Sequence, residues 1–165
     1  MKDILPGLEQ KAKFAEKSTK DLFKKFKKKP PGDLDEVVHH LHDITFAKTD
    51  CLQCANCCRS LGPRLTDKDI ERLAKFSKLK PSVYTAENLR LDEDGDYVFR
   101  QIPCQYLMED NKCRVYEIRP KACREYPHTD RKKFYQLLDI TVKNTRTCPA
   151  VYEIVEALKK HYTKK

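Results

Sequence analysis

The sequence lacks the features that identify several common classes of protein. Only four of its 165 residues are glycine, and no Gly-rich loop of the kind that cradles a phosphate or a dinucleotide is present. No arrangement of Ser, His and Asp indicates a nucleophile triad. No apolar run approaches the roughly 18 residues needed to span a bilayer, and residues 1–6 include no apolar export segment. These absences argue against a nucleotide-dependent enzyme, a triad hydrolase and a membrane-spanning protein, and we expect a cytoplasmic protein.

The chain has little apolar material for a core. Hydrophobic residues make up 39% and charged residues 36%, in a chain long enough for one domain. Metal cross-links would offset a lean core, because the energy of metal binding at a structural site is also folding energy. We expect a basic N-terminal helix and linker over residues 1–32 and a single small metal-binding domain over residues 33–165.

Positive charge is concentrated at the two ends. Residues 1–29 hold ten lysines and four acidic residues, and residues 155–165 hold four lysines and one acidic residue, whereas the body between them is neutral. The basic run from Lys24 to Lys29 carries enough charge to bind nucleic acid or an anionic membrane. The charge pattern favours a solvated helix face instead. Because no aromatic-rich strand motif for RNA accompanies it, nucleic acid is disfavoured as a partner and a protein partner stays open.

Hydrophobic periodicity predicts an α-rich α+β fold. Helical spacing of apolar residues favours helices over residues 8–29 and 33–46, separated by the breaker at residues 30–32. Residues 51–58 leave room for little except a loop. Thr66 followed by Asp69 predicts a helix start, with a second short helix over residues 82–88. Residues 90–99 predict a hairpin around an acidic Gly turn.

The C-terminal half predicts further short elements. A polar turn over residues 109–112 should fold Cys113 back toward Cys104. Pro120 can open a short helix that places Cys123 in its first turn, where free amide groups and the helix dipole favour a thiolate. Residues 134–142 fit a helix or a strand, and a last helix should begin at Pro149.

Cysteine carries most of the chemical information in this sequence. Thiols in the cytosol stay reduced, so two-residue spacing indicates metal ligands rather than disulfides. We predict that all eight cysteines are metal ligands. They are Cys51, Cys54, Cys57, Cys58, Cys104, Cys113, Cys123 and Cys148. The histidines at positions 39, 40, 42 and 128 are weaker candidates, since they lie outside any ligand motif.

Eight thiols divide naturally into two sets of four. Neighbouring side chains diverge from an extended backbone, which suggests that Cys57 and Cys58 serve different centres. One division joins Cys51, Cys54 and Cys57 to Cys148, because bacterial ferredoxins combine closely spaced thiols with Cys-Pro. The other set is then Cys58, Cys104, Cys113 and Cys123. A dinuclear site with shared ligands stays open. Zinc and iron both bind at sites formed by four sulfur ligands. The single dense cluster of cysteines favours iron–sulfur chemistry.

These motifs together resemble a known family. The pattern Cys51-x2-Cys54-x2-Cys57-Cys58, the segment from Cys113 through Tyr116-Glu117-x-Arg119-Pro120 to Cys123-Arg124, and the late Cys148-Pro149 are similar to the CxxCxxCC family of YkgJ-type cysteine cluster proteins, described as zinc- or iron-chelating domains. The resemblance covers about residues 51–150. This chain departs from it at Ala55-Asn56, where relatives often carry Gly.

The resemblance implies a metal but not a reaction. Members labelled as iron–sulfur oxidoreductases, and flagellin lysine methylases related through the cysteine cluster, leave three classes of function open. The first is a protein that holds iron–sulfur clusters, iron or zinc, in electron transfer or metal handling. The second is an oxidoreductase or a cluster-dependent methylase, for which no catalytic residue can be named. The third is a zinc-stabilised adaptor for nucleic acid or protein.

Two arginines near the last cysteines have two interpretations. Four thiolates on a dication leave a net negative site, which guanidinium donors from Arg119 and Arg124 would balance. In the other interpretation Arg119 forms an ordinary surface ion pair with Glu117. The sequence favours neither.

Overall fold

The structure, a computed structural model, describes residues 6–163. It is helix-rich with a small three-stranded antiparallel sheet, which confirms the predicted α-rich fold with a hairpin. Residues 1–5, 164 and 165 of the two predicted regions lie outside the described residues. Within residues 6–163, contacts define two compact units, one formed by residues 6–54 and 127–163 and the other by residues 55–126.

The first unit is a helical bundle. Its helices are α1 (Leu8–Lys28), α2 (Leu34–Phe46), α3 (Cys51–Cys54), α8 (Leu138–Asn144) and α9 (Pro149–Thr163), with a 3-10 turn at Phe134–Gln136. The helices predicted to begin near residues 8, 33 and 149 are therefore confirmed. The segment that fitted helix or strand is helical, because it contributes Leu138 and Val142 to a helix-lined core.

Apolar stripes from four helices form the core of this unit. Helix α2 packs along α9, and α1 packs against both α8 and α9. The buried residues come from α1, α2, α8, α9 and the 3-10 turn; they are Leu22, Phe23, Phe26, Leu34, Val38, Phe134, Leu138, Val142, Val151, Ile154, Val155 and Leu158. The basic helix thus buries one face and exposes its lysines, as the pattern of a solvated helix face predicts. The boundary proposed at residue 32 stays a prediction.

The second unit combines short helices with the sheet. Its elements are α4 (Asn56–Ser60), β1 (Arg64–Leu65), α5 (Asp67–Phe76), α6 (Pro81–Asn88), β2 (Leu89–Leu91), β3 (Tyr97–Phe99), a 3-10 turn (Tyr116–Ile118) and α7 (Lys121–Glu125). Strands β2 and β3 form the predicted hairpin. Strand β1 pairs antiparallel with the other edge of β3, which gives the order β1-β3-β2. The helices predicted near Thr66, Ser82 and Pro120 are also confirmed.

The core of the second unit lies between α5, α6 and the sheet. Thr66 caps α5 in a reciprocal capping box with Asp69, so the predicted helix start is correct. Leu73, Tyr84 and Phe99 are almost fully buried at the centre of this core. Cys104 and Cys113 pack against its edge, so these two cysteines lie beside the apolar core.

No helix within residues 6–163 combines the length and apolar character that crossing a membrane requires.

Candidate metal centre

The dense cysteine segment folds into two short helices, α3 and α4, rather than the predicted loop. Ala55 separates them with φ of 47°, in the left-handed region. A left-handed residue ends one helical turn and lets the chain begin another in a new direction. The loop prediction is wrong because a positive φ at Ala55 allows two helical turns to follow one another without a linker.

The two adjacent thiols of α4 lie close together. The Sγ atoms of Cys57 and Cys58 are 4.0 Å apart, at hydrogen-bonding distance for sulfur. The divergence expected for an extended backbone therefore does not apply here. Two thiolates bound to one zinc at about 2.3 Å in a tetrahedron would be about 3.8 Å apart. Both sulfurs are thus placed well enough to share a centre, and the dinuclear arrangement stays open.

Four cysteines of the second unit interact electrostatically, and we call them the four-thiol cluster. They are Cys58, Cys104, Cys113 and Cys123. The backbone amide of Cys104 donates a hydrogen bond of 2.9 Å to the carbonyl oxygen of Cys58. The polar turn before Cys113 closes through the hydrogen bond from Met108 N to Lys112 O, 2.9 Å long. A bridge between Leu107 and Cys113 then places Cys113 beside the Cys104 segment, as predicted.

Burial is the main cause of the raised pKa values of three of these thiols. Burial and, to a smaller extent, the negative charges of the other three cluster cysteines together raise the pKa of Cys123 to about 12. The pKa values of Cys104 and Cys113 are also raised, again mainly by burial. Cys123 lies in the first turn of the short helix α7 (Lys121–Glu125), as predicted. Its pKa is nevertheless raised, so the thiolate expected there is not favoured.

Cys58 is the exception within the cluster. A hydrogen bond from the Cys57 thiol lowers its pKa to about 7, and the positive charges of Arg119 and Arg59 lower it as well, although burial opposes them. Because the thiolate is the form that binds metal, Cys58 is the member of the four-thiol cluster closest to its binding form at neutral pH.

Arg119 faces the four-thiol cluster rather than an acidic partner. Its positive charge acts on Cys58, Cys113 and Cys123, and its guanidinium lies 3.8 Å above the centre of the Tyr116 ring. Its Nε atom is buried and has no hydrogen-bond partner among the described residues. No ion pair between Arg119 and Glu117 occurs within residues 6–163. A buried donor beside thiols suits a role in neutralising bound thiolates.

Asp69 was recognised in the sequence only as a helix cap, but it also fixes the segment that carries Cys123. One carboxylate oxygen accepts hydrogen bonds from the amide and hydroxyl of Thr66, and the other accepts from the backbone amide of Lys121 at 3.0 Å and from Arg72. Arg72 also donates to the carbonyl oxygen of Arg119. The capping-box signature could show the first contact, whereas the contact with Lys121 depends on tertiary packing.

The first unit holds a separate group of three thiols. Burial raises the pKa of Cys148 to about 11, and the charges of Cys54 and Cys51 contribute in the same direction. Hydrogen bonds from the backbone amide groups of Ala150 and Val151, at the start of α9, oppose this effect and lower the pKa of Cys148. The structure thus brings Cys51, Cys54 and Cys148 within electrostatic range of one another inside the first unit.

Two of the three histidines of α2 make contacts of a structural kind. The Nε2 atom of His39 lies 3.1 Å from the carbonyl oxygen of Arg131, and Nδ1 of His42 lies 2.8 Å from the hydroxyl of Thr129. His42 also stacks on Phe46 with ring centres 4.4 Å apart. These contacts are consistent with the expectation that the histidines are weaker candidates for metal ligands than the cysteines.

The cysteine sulfur atoms are chemically suited to bind a metal. Within residues 6–163, no three Cys, His, Asp or Glu side chains already stand around a common point that would hold an ion. All eight cysteines are free thiols, however, and the four-thiol cluster combines sulfur donors, partial burial and an unpaired buried guanidinium nitrogen. Soft sulfur donors of this number are what zinc and iron–sulfur clusters require.

Comparison with known proteins gives one match. The family model CxxCxxCC, described as "Putative zinc- or iron-chelating domain", matches residues 50–149. This range contains all eight cysteines and ends one residue after the last of them. Searches of curated proteins and of solved structures each find no match.

Proposed function

Since the chain belongs to the CxxCxxCC family, whose domain is described as zinc- or iron-chelating, we propose that it binds a metal centre through the four-thiol cluster. The observation that carries this proposal is that four cysteines from distant parts of the chain interact electrostatically in one unit. A shared cation relieves the repulsion between thiolates that their proximity creates. Arg119 supplies a compensating positive charge that does not compete as a ligand.

The centre contains iron, as an iron–sulfur cluster, or zinc. Bound there, an iron–sulfur cluster would supply electron transfer, and zinc would supply structural stability. The partial burial of the thiols excludes much of the solvent, and the separate group of Cys51, Cys54 and Cys148 offers sulfur for a second centre. We also propose a cytoplasmic location, because cysteines with metal-ligand spacing must stay reduced to bind metal, and thiols are kept reduced in the cytosol.

Metal analysis of protein purified without oxygen tests the identity of the centre. Iron with labile sulfide, and absorption near about 400 nm, would identify an iron–sulfur cluster. Colourless protein with zinc would identify a structural or binding module. Protein that retains neither metal, even after reconstitution with iron and sulfide or with zinc, would refute the proposal.

Pairs of substitutions test which thiols share the centre. Cys58→Ser and Cys123→Ser should each remove the same metal, so the double variant should lose no more metal than either single variant. Cys58→Ser combined with Cys148→Ser should lose more if the first unit holds a second centre. The matched control is Ser60→Ala in α4, which should keep full metal content.

The result that contradicts the assignment is additive loss from Cys58→Ser and Cys123→Ser, since additivity indicates independent sites. Far-ultraviolet circular dichroism of each variant separates metal loss from unfolding. A variant that keeps its helices and still loses metal has lost ligands, not structure.

A further inference from the structure

A positively charged groove lies between α1 and α8 in the first unit. It encloses about 480 Å³ and has an apolar floor formed by Phe23 and Val142, both of which are buried. Five basic and two acidic residues line it. The basic residues are Lys20, Lys24, Lys27, Lys143 and Arg146, and the acidic residues are Glu16 and Asp139. The lining therefore carries a surplus of three positive charges.

The two acidic residues hold some of the basic side chains in place. Asp139 accepts hydrogen bonds from Nζ of Lys27 at 2.6 and 2.7 Å. Glu16 accepts from Lys20 at 2.5 Å and also from Arg146. Hydrogen bonds from Lys20 and Arg146 lower the pKa of Glu16 to about 2, so it stays ionised at neutral pH. Three of the five cations thus have acidic partners within the groove.

The remaining two cations have no acidic partner. Across the described part of the chain, neither Lys24 nor Lys143 forms an ion pair or a side-chain hydrogen bond. They come from different helices, one from α1 and one from α8, and line the same groove. An ammonium group offers three donors and a full charge to an anionic oxygen. Two such groups beside fixed cations suit an anion with several charged oxygens.

We propose that this groove binds a small ligand that carries two or more phosphate charges, with Lys24 and Lys143 as its principal contacts. A small ligand is favoured over a nucleic acid because the surplus charge surrounds a bounded groove, whereas a nucleic acid presents charge continuously along its length. The apolar floor offers a surface for a ring attached to the phosphates. The ligand is therefore either an inorganic polyphosphate or a nucleotide.

Calorimetric titration of the full chain at low salt tests the proposal with two probes, inorganic pyrophosphate and ADP. Substituting both lysines, as Lys24→Gln with Lys143→Gln, should weaken binding about tenfold, because two exposed charge contacts are lost. The matched control is Lys17→Gln with Lys160→Gln, two exposed lysines outside the groove lining. It removes the same charge and should change binding by less than about twofold.

The two probes distinguish the two sources of phosphate. Tighter binding of ADP than of pyrophosphate would assign the groove to nucleotides, and equal binding would assign it to the phosphate charges alone. Equal weakening in both double variants would overturn the proposal, since it would indicate attraction to net charge only. Absence of heat with both probes would overturn it as well. Because the groove contains no cysteine, metal content should be unchanged in every variant, which keeps this test independent of the metal centre.

Discussion

The backbone amide of Cys104 donates a hydrogen bond to the carbonyl oxygen of Cys58, with an N···O distance of 2.9 Å. This bond joins the short helix α4 to a loop that lies far along the chain. It places the last thiol of the dense cysteine segment next to the first of the isolated ones. The four-thiol cluster is thus assembled by main-chain contacts as well as by any metal that it binds.

Arg119 should be important for metal retention although it is not a ligand. The substitution Arg119→Gln removes the positive charge next to three cluster thiols. We expect it to lower the affinity for the metal about 10-fold to 100-fold, so that a chelator removes the metal at a lower concentration. Competition with a chromogenic chelator measures this. Arg114→Gln is the matched control, because Arg114 is exposed on the neighbouring segment. Equal retention in the two variants would show that Arg119 has no role at the centre.

Asp69→Asn should destabilise the protein by about 2–4 kcal/mol, because a buried carboxylate loses its charge while its donors stay in place. Burial raises the pKa of Asp69, but hydrogen bonds from Thr66, Arg72 and the Lys121 amide outweigh it and hold the pKa below its usual value of 3.8. Chemical denaturation at pH 7 measures the difference. Asp67→Asn, an exposed change in the same helical turn, should change stability by less than about 0.5 kcal/mol.

The contribution of Asp69 should also depend on pH. Because its pKa is lower in the folded state than in the unfolded state, its stabilising effect is complete above pH 3.8 and is lost as the pH falls through the folded-state pKa. The stability difference between wild type and Asp69→Asn should therefore narrow in acid. A difference that stays constant from pH 7 to pH 2 would contradict this account.

Two buried tyrosines should be energetically coupled. The hydroxyl groups of Tyr84 and Tyr106 are 2.8 Å apart in the core of the second unit. Tyr84→Phe leaves the hydroxyl of Tyr106 without its partner and should cost about 1–2 kcal/mol. The double variant with Tyr106→Phe should cost less than the sum of the two single changes. Tyr97→Phe, at an exposed position, serves as the control, and strict additivity would argue against the coupling.

Ala55 should tolerate a smaller residue better than a larger one. With φ of 47°, the position suits Gly and opposes a β-branched side chain. We expect Ala55→Gly to change stability by less than about 0.5 kcal/mol and Ala55→Val to cost about 2 kcal/mol. Thermal denaturation compares them, with Ala86→Val on the exposed side of α6 as the control. A harmless Ala55→Val would mean that the turn adopts another conformation.

Much of the secondary structure follows from local rules. The apolar stripe of α1, the Thr66 cap of α5, the polar turn before Cys113 and the start of α9 at Pro149 each depend on residues within one or two helical turns of each other. The short helices α3 and α4 were missed because they depend on a left-handed alanine. Alanine, unlike Gly, carries no sequence signal for that conformation.

Residues that are close along the chain are enough to predict the eight thiols with metal-ligand spacing, the basic first helix and the longer helices that follow it. Packing of distant segments is needed to show which thiols lie together, that Cys58 has the lowest pKa of the four-thiol cluster, and that Asp69 binds the backbone of the segment that carries Cys123. Spacing depends on neighbours along the chain, whereas pKa values and long-range hydrogen bonds depend on burial and on charges that packing brings near. Those quantities exist only after the chain has folded.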